Sequence, residues 1–276
     1  MKHLSSRQNA LVATFRSISR GRHSDPSAIL LDGAHLVADA LASRVHVRLA
    51  VVAQRLTQTE EGSRLLRALV AHGVETFSAT DSVLSAISPV STPSGIVAIA
   101  GRPSSSLAGV LAGAPQLVVA AVDVQDPGNV GAIARAAEAG GASGIVFCGT
   151  GADPFGPKAL RGSMGSLFRL PALSGADVEE TVDAAKAAGA RVLAAVPRGG
   201  VPLFEMDLRP PTAILLGGEG SGLPENLVAR CDGRISIPMR PPVESLNVAV
   251  AAAVLVYEGA RQRTSPPAYD PSRGPS

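Results

Sequence analysis

The stretch QLVVAAVDVQDPGNVGAIARAAEAGGASGIVFCG, residues 116–149, carries the reading of the fold. Its first third is a run of Val, Leu and Ala ending at Val124, as expected of a strand buried on both faces. DPGN then makes a turn, with Asn129 placed to cap a helix. Val130, Ile133, Ala134 and Ala137 recur at the spacing of one helical face, and Gly140 and Gly141 end that helix before a second apolar run, GIVFCG. Continuous apolar strands separated by helices predict a mostly parallel sheet covered on both faces.

The alternation extends outward in both directions. Downstream, ARVLAAV (190–196), TAILLGG (212–218) and GRISIPM (233–239) read as strands, and a last helix closes the pattern at residues 246–262. Upstream, after a basic N-terminal helix, AILLDG (28–33), VHVRLAVVA (45–53), VETFSA (74–79) and GIVAIAG (95–101) alternate with helical patterns. Between the two halves, GRPSSSLAGVLAGAP (101–115) is rich in Ser, Gly and Pro and poor in charge. The expected organisation is therefore an α/β domain over residues 1–101, a linker at 102–115, a larger α/β domain at 116–262, and a disordered Pro/Ser-rich tail at 263–276.

Charge separates the halves. Residues 1–110 hold eleven Lys and Arg against seven Asp and Glu, whereas residues 115–262 hold twelve against fifteen. Lys2, Arg7, Arg16, Arg20 and Arg22 fall within the first 25 positions, opposed only by Asp25. That is the footprint of a phosphate-facing segment, and equally of a solvated helix. With no Trp and 3% aromatic residues, an extended stacking platform for single strands is not expected, so any nucleic-acid contact rests on backbone and shape. The start, MKHLSSRQNA, lacks a signal-peptide core, and the longest apolar run, Val248 to Tyr257, is half of a bilayer span of about 20 residues. A cytoplasmic protein with no membrane association is expected. Cys148 and Cys231 read as packed thiols.

Several chemistries are excluded by what is missing. All five histidines lie in the first half, so the second half contains neither a Ser-His-Asp triad nor a His-based zinc site, and no metal is expected. There is no GxxxxGK[ST], and GGEGSG (217–222) is not the GxGxxG of a dinucleotide fold. Three stretches remain. On the first helix Arg135 lies off the apolar stripe; it either leans back over the loop at the carboxyl end of the strand or pairs with Glu138 at i+3 on the surface. AILLGGEGSGLPENL (213–227) places a lone acid, Glu219, in a glycine loop open to a ligand or solvent. IPMRPPVESLNVAVAAAV (237–254) stops a strand at Pro241 and Pro242, offers Ser245 or Asn247 as a cap, and enters a helix apolar all round, which must be buried by its own domain or by a partner subunit.

Taken in order, Asn129-x5-Arg135, GGEGSGL, and IPM followed six residues later by SLNVAVAAA resemble the three signature motifs of the SpoU-type (SPOUT superfamily, TrmH-like) RNA ribose 2'-O-methyltransferases. The likeness covers residues 116–262, including KALRGSMGSLFRLP (158–171). SSRQNALVATFRSISRGR, LLDGAHLVADAL and STPSGIVAIA are similar to the ribosomal-protein-like substrate-binding domain of rRNA-modifying members, nearest to the 23S rRNA and thiostrepton-resistance group. The resemblance implies a deep trefoil knot, S-adenosylmethionine as cofactor, a homodimer, and RNA as substrate, with 23S rRNA ahead of tRNA. It implies that Gly217, Gly218, Gly220, Ile237, Met239 and Leu246 line the cofactor site. Asn129, Arg135, Glu219, Ser245 and Asn247 are the implied catalytic surface, and Arg7, Arg16, Arg20, Arg22, Arg161 and Ser163 the implied RNA contacts.

Overall fold

In the computed structural model, residues 1–113, 116–220 and 222–264 are described. The first domain contains β1 (Lys2–Leu4), α1 (Ala10–Ser19), β2 (Ala28–Asp32), α2 (Ala34–Ala42), β3 (Val47–Ala53), α3 (Gln54–Thr57), α4 (Glu60–Ala71), β4 (Glu75–Ala79), α5 (Asp81–Ile87) and β5 (Ile96–Gly101). Its sheet runs in the order β1-β4-β3-β5-β2, with β5 antiparallel to both β2 and β3. The basic N-terminal helix is thus preceded by a short edge strand that sequence periodicity did not resolve. Side chains alternate along each strand as a pleat requires. Leu30, Val51 and Val97 face Phe15 of α1 and Leu84 of α5, while Leu31, Val52 and Ala98 face Val37 of α2 and Leu69 of α4.

The second domain comprises α6 (Leu107–Leu111), β6 (Leu117–Val122), α7 (Pro127–Ala139), β7 (Gly144–Cys148), α8 (Pro157–Ser163), α9 (Ser166–Arg169), β8 (Ala172–Ala176), α10 (Val178–Ala187), β9 (Arg191–Ala195), β10 (Val201–Pro202), β11 (Thr212–Gly217), α11 (Glu225–Arg230), β12 (Gly233–Ser236) and α12 (Val248–Thr264). Its sheet has the order β10-β12-β9-β11-β6-β7-β8, and every pairing is parallel. The chain walks outward from β6 through β7 to β8, then crosses to the other side of β6. In such sheets the crevice beside the reversal, at the carboxyl ends of the strands, is where ligands sit.

Three boundaries differ from the sequence reading. The stretch taken as linker contains α6, whose Val110 and Leu111 are buried against the larger sheet, so residues 107–111 belong to the second domain. The last strand stops at Ser236, leaving IPM in the following loop, because Pro238 has no amide hydrogen to give to a ladder. The last helix begins at Val248 and reaches Thr264; the rest of the tail expected to be disordered, 265–276, lies outside the described residues.

α12 packs on one side only. Val248, Ala252, Leu255 and Val256 are buried, whereas Val250 and Tyr257 are 50% and 54% exposed. Gly140 admits it closely: a Cβ there would lie 2.4 Å from Val256 Cγ1. Among the described residues, no helix is long and apolar enough to cross a membrane, and no cluster of His, Cys, Asp and Glu could hold a metal ion. Burial pushes the Cys148 thiol up to about 11, so it stays neutral at pH 7.

Candidate active site

The DPGN turn is built differently from the expectation. Asp126, not Asn129, is the cap of α7: its Oδ1 accepts the Gly128 and Asn129 amides at 2.6 and 3.2 Å, and Lys158 Nζ braces it at 3.0 Å. Pro127, whose fixed φ suits the first helical position, starts the helix one turn earlier than the sequence reading had it. Asn129 therefore sits within the first turn, and its side chain is released from capping.

That side chain joins two other loops. Asn129 Nδ2 donates to Glu219 Oε1, and Asn129 Oδ1 accepts from Asn247 Nδ2 at 3.1 Å. Because an ionised carboxylate can only accept, the orientation of the Asn129 amide is determined. Glu219 Oε2 also accepts the Gln125 amide at 3.3 Å. Burial pulls the Glu219 carboxyl upward, but hydrogen bonds from Asn129, its own amide and Gln125 outweigh it, and the net position is below the ordinary carboxylate value. Glu219 is thus an anion at neutral pH and an anchor, not a proton acceptor poised near 7. Asn247 completes the chain: its Oδ1 accepts the Ala249 and Val250 amides at 2.9 and 3.3 Å, making it the cap of α12 in place of Ser245.

The glycine loop is held to the turn by contact rather than left open. At Gly218 a Cβ would stand 2.3 Å from the Asp123 carbonyl oxygen, and at Gly217 it would stand 2.3 Å from the Gly222 carbonyl carbon. Only residues without a side chain let the end of β11 press against the 123–125 turn and bring Glu219 to Asn129. Gly220 differs: its φ of +95° is a backbone conformation that L side chains rarely adopt, with open space where a Cβ would point.

Beside this junction lies a cleft of about 670 Å³ at the carboxyl ends of β9, β11 and β12. Gly217, Gly218, Gly220, Ile237, Met239 and Leu246 all line it, as do Glu219, Ser245 and Asn247. Sequence reasoning missed its far wall, Ala195 to Arg198 after β9, and the ion pairs Arg198–Glu244 (3.4 Å) and Arg234–Glu225 (2.5 Å) at its rim. No signal in the sequence could have found that wall, because strand order is not written in one chain's periodicity.

Other expected site residues are not gathered there. Arg135 is exposed on α7, lines neither the cleft nor the smaller cavity near Arg102, and has no hydrogen-bond or ion-pair partner among the described residues. The alternative of a surface pair with Glu138 is not formed, since Arg169 takes that carboxylate at 2.6 and 2.9 Å. Ser163 is fully buried and donates to the Leu160 carbonyl at 2.8 Å, which removes it from any RNA-facing surface. Arg161 on α8 is exposed. In the first domain Arg7 and Arg16 use their Nε to bind the Ser82 and Ala86 carbonyls at 3.0 and 2.9 Å, while Arg20 and Arg22 are exposed without a side-chain partner among the described residues.

Residues 116–257 match the SpoU rRNA Methylase family, and residues 19–98 match the MRM3-like substrate binding domain. The chain belongs to the SpoU rRNA methylase family. It is 31% identical over 258 residues to the 23S rRNA (guanosine(2553)-2'-O)-methyltransferase RlmP of Bacillus subtilis, covering 93% of this chain and 98% of that protein. An AdoMet-bound rRNA methyltransferase from Sinorhizobium meliloti superposes with a TM-score of 0.85 at 29% identity, over 96% of this chain and 99% of that one. The SpoU methyltransferase AviRb of Streptomyces viridochromogenes, in complex with AdoMet, superposes with a TM-score of 0.84 at 30% identity, over 94% and 99%. Both domains of this SpoU family member are therefore shared with full-length relatives.

Proposed function

We propose that the protein transfers the methyl group of S-adenosylmethionine to a ribose 2'-hydroxyl of 23S rRNA in the cytoplasm. The observation that carries this reading is the convergence of Asn129 from the first turn of α7, Glu219 from the loop after β11 and Asn247 from the loop before α12, beside a single cleft at the carboxyl ends of parallel strands. The residues present fit the cofactor. A volume of about 670 Å³ lies within the usual range for small-molecule sites, and apolar Leu216, Ile237 and Leu255 suit an adenosine. Glu219 is the one carboxylate of that lining with no basic partner among the described residues, since Glu225 is paired with Arg234, and it suits the cationic part of the ligand.

S-adenosylmethionine supplies an electrophilic sulfonium methyl. The chain then has to align a ribose oxygen with it, so that the new O–C bond forms as the S–C bond breaks and S-adenosylhomocysteine leaves, and let that oxygen's proton pass to water; alignment is the larger share, about 7–11 kcal/mol in favourable cases. The Glu219–Asn129–Asn247 chain of hydrogen bonds fixes the three loops against one another, so the cleft is preorganised. Arg135 stabilises the developing alkoxide; a guanidinium stays protonated and does not act as a base.

Arg135 lies outside its own chain's cleft, and the free face of α12 exposes Val250 and Tyr257, with Leu246 and Val243 also exposed before it. These observations support a homodimer in which that face is covered by a second copy and Arg135 acts across the interface. A solution mass of one chain at micromolar concentration would remove this arrangement. The trefoil knot implied by the motifs belongs to the same reading; α12 itself lies against α7 and β6.

The test is direct. Purified protein with methyl-labelled S-adenosylmethionine is offered rRNA and tRNA, and 2'-O-methylnucleosides are counted after digestion. Label in rRNA alone is expected. Label in tRNA alone reassigns the substrate, and cofactor binding with no label in any RNA ends the reading. The match of both domains to a 23S rRNA enzyme favours rRNA.

A further inference from the structure

The seam between the two domains is held by directed charges as well as by apolar contact. Arg102 follows β5 directly. Its backbone amide donates to the Ser27 carbonyl at 2.6 Å within the first domain. Its guanidinium crosses to the second, giving both oxygens of Asp153 bonds of 3.1 and 2.7 Å and Ser174 Oγ a bond of 2.9 Å. It also lies over the Phe155 ring, 4.7 Å from the centroid. Asp153 is itself oriented, because its Oδ1 accepts the Phe155 amide at 3.0 Å.

A second crossing lies along the same seam. Arg169 of α9 grips Glu138 of α7 and faces Asp39 of α2 at 3.8 Å. At Gly165 the approach is so close that a Cβ would stand 2.5 Å from Asp39 Oδ2. One buried cluster continues between them, from Leu31 and Val37 of the first domain to Leu160 and Leu167 of the second. Apolar contact resists separation but permits sliding and twisting. A planar guanidinium with two parallel bonds and a stacked ring fixes angle as well as distance. Immediately after it come Pro103 and Ser104 to Ser106, which form no helix or strand, so little else near this point constrains the angle.

We propose that Arg102 is a positioning residue that locks the RNA-holding domain at a fixed offset from the cofactor cleft, so that RNA gripped by one domain presents a single ribose to the other. Arg102 lies between the two family matches, which end at 98 and begin at 116. The inference rests on the functional reading above. It predicts a split between binding and turnover, since neither the cleft nor Arg20 and Arg22 are touched by the change.

Three variants test it: Arg102→Ala, Arg102→Lys, and the exchange Arg102→Asp with Asp153→Arg. For Arg102→Ala, calorimetry gives wild-type affinity for S-adenosylmethionine and anisotropy gives wild-type affinity for an rRNA fragment. Its kcat falls about tenfold or more, because misplacement by an ångström can cost up to about a hundredfold. Methyl groups spread to neighbouring riboses, and X-ray scattering shows a wider distribution of domain distances. Lys at 102 is intermediate, and the exchanged pair recovers kcat and the single site. The proposal is overturned if Arg102→Ala keeps wild-type kcat at one position, or if the exchanged pair folds and binds both ligands yet recovers neither. Should Arg102→Ala fail to fold, the Lys variant and the exchanged pair carry the same comparison. If wild-type protein methylates no RNA, the functional reading falls, and scattering of wild type against variant still decides the lock.

Discussion

At the scale of the residue, the structure separates Glu219 and Arg135, which the resemblance had grouped in one catalytic surface: Glu219 lines the cleft and Arg135 does not. Glu219 holds the Asn129 amide and the Gln125 N–H as an anion, with its folded pKa below the ordinary 4.5. The unfolded chain therefore takes up that proton more readily than the folded one. The contribution of Glu219 is complete above about pH 4.5 and is lost as pH falls through the lower folded value. Glu219→Gln, which imitates the protonated state, should be less stable than wild type at pH 7, and the difference in Tm should close as pH is lowered below about 4.5 in thermal melts. A constant difference across that range would assign the loss to packing. For Arg135, Lys retains charge but not the planar fork. Methylation by Arg135→Lys should fall by about 100- to 1,000-fold in kcat, the range seen when a transition-state donor is removed, with S-adenosylmethionine affinity unchanged. Turnover near wild type would end the proposed role of Arg135 in stabilising the alkoxide.

At the scale of the element, the glycine loop after β11 acts as a spacer between strands. The sequence suggested that its glycines let a ligand approach; the structure shows Gly217 and Gly218 making room for the chain itself. Gly218→Ala should cost about 1–3 kcal/mol, as overpacking against a fixed carbonyl does. The same change should weaken cofactor binding by displacing Glu219, read by calorimetry beside chemical denaturation. If Gly218→Ala is neutral in both, the contact with Asp123 is not what sets the loop. Capping was also legible only in part. Asp126, Asn129, Ser245 and Asn247 are all chemically able to cap, and the choice fell to Pro127 for α7 and to the reach of Asn247 toward Asn129 for α12. Short edge strands such as β1 and β10 carry too few residues to show a period, so only their pairing partners reveal them.

At the scale of the whole molecule, the basic first domain and the cleft-bearing second are joined by a seam that neither half's periodicity describes. Arg20 and Arg22 are exposed without a side-chain partner among the described residues, whereas Arg7 and Arg16 serve as struts to two carbonyls of α5. Replacing Arg20 and Arg22 by Ala should flatten the log-log dependence of RNA affinity on salt by about 1.4, at ~0.7 per neutralised phosphate on single strands. An unchanged slope moves the RNA face elsewhere in the chain.

The alternation of apolar runs with helical stripes was enough to specify two α/β domains, and the motifs at 129–135, 217–223 and 245–247 were enough to mark the loops that meet. Periodicity reports which face of an element is buried, and motif spacing reports which chemistry is carried. Neither reports which strand lies beside which. That order was decided in three dimensions, by parallel pairing that set β11 between β9 and β6. It brought residues 90 and 118 positions apart into hydrogen-bond contact at Asn129. It also left Arg135 facing outward and buried Ser163, because exposure depends on what packs against a helix, and no short stretch of sequence contains its own neighbours.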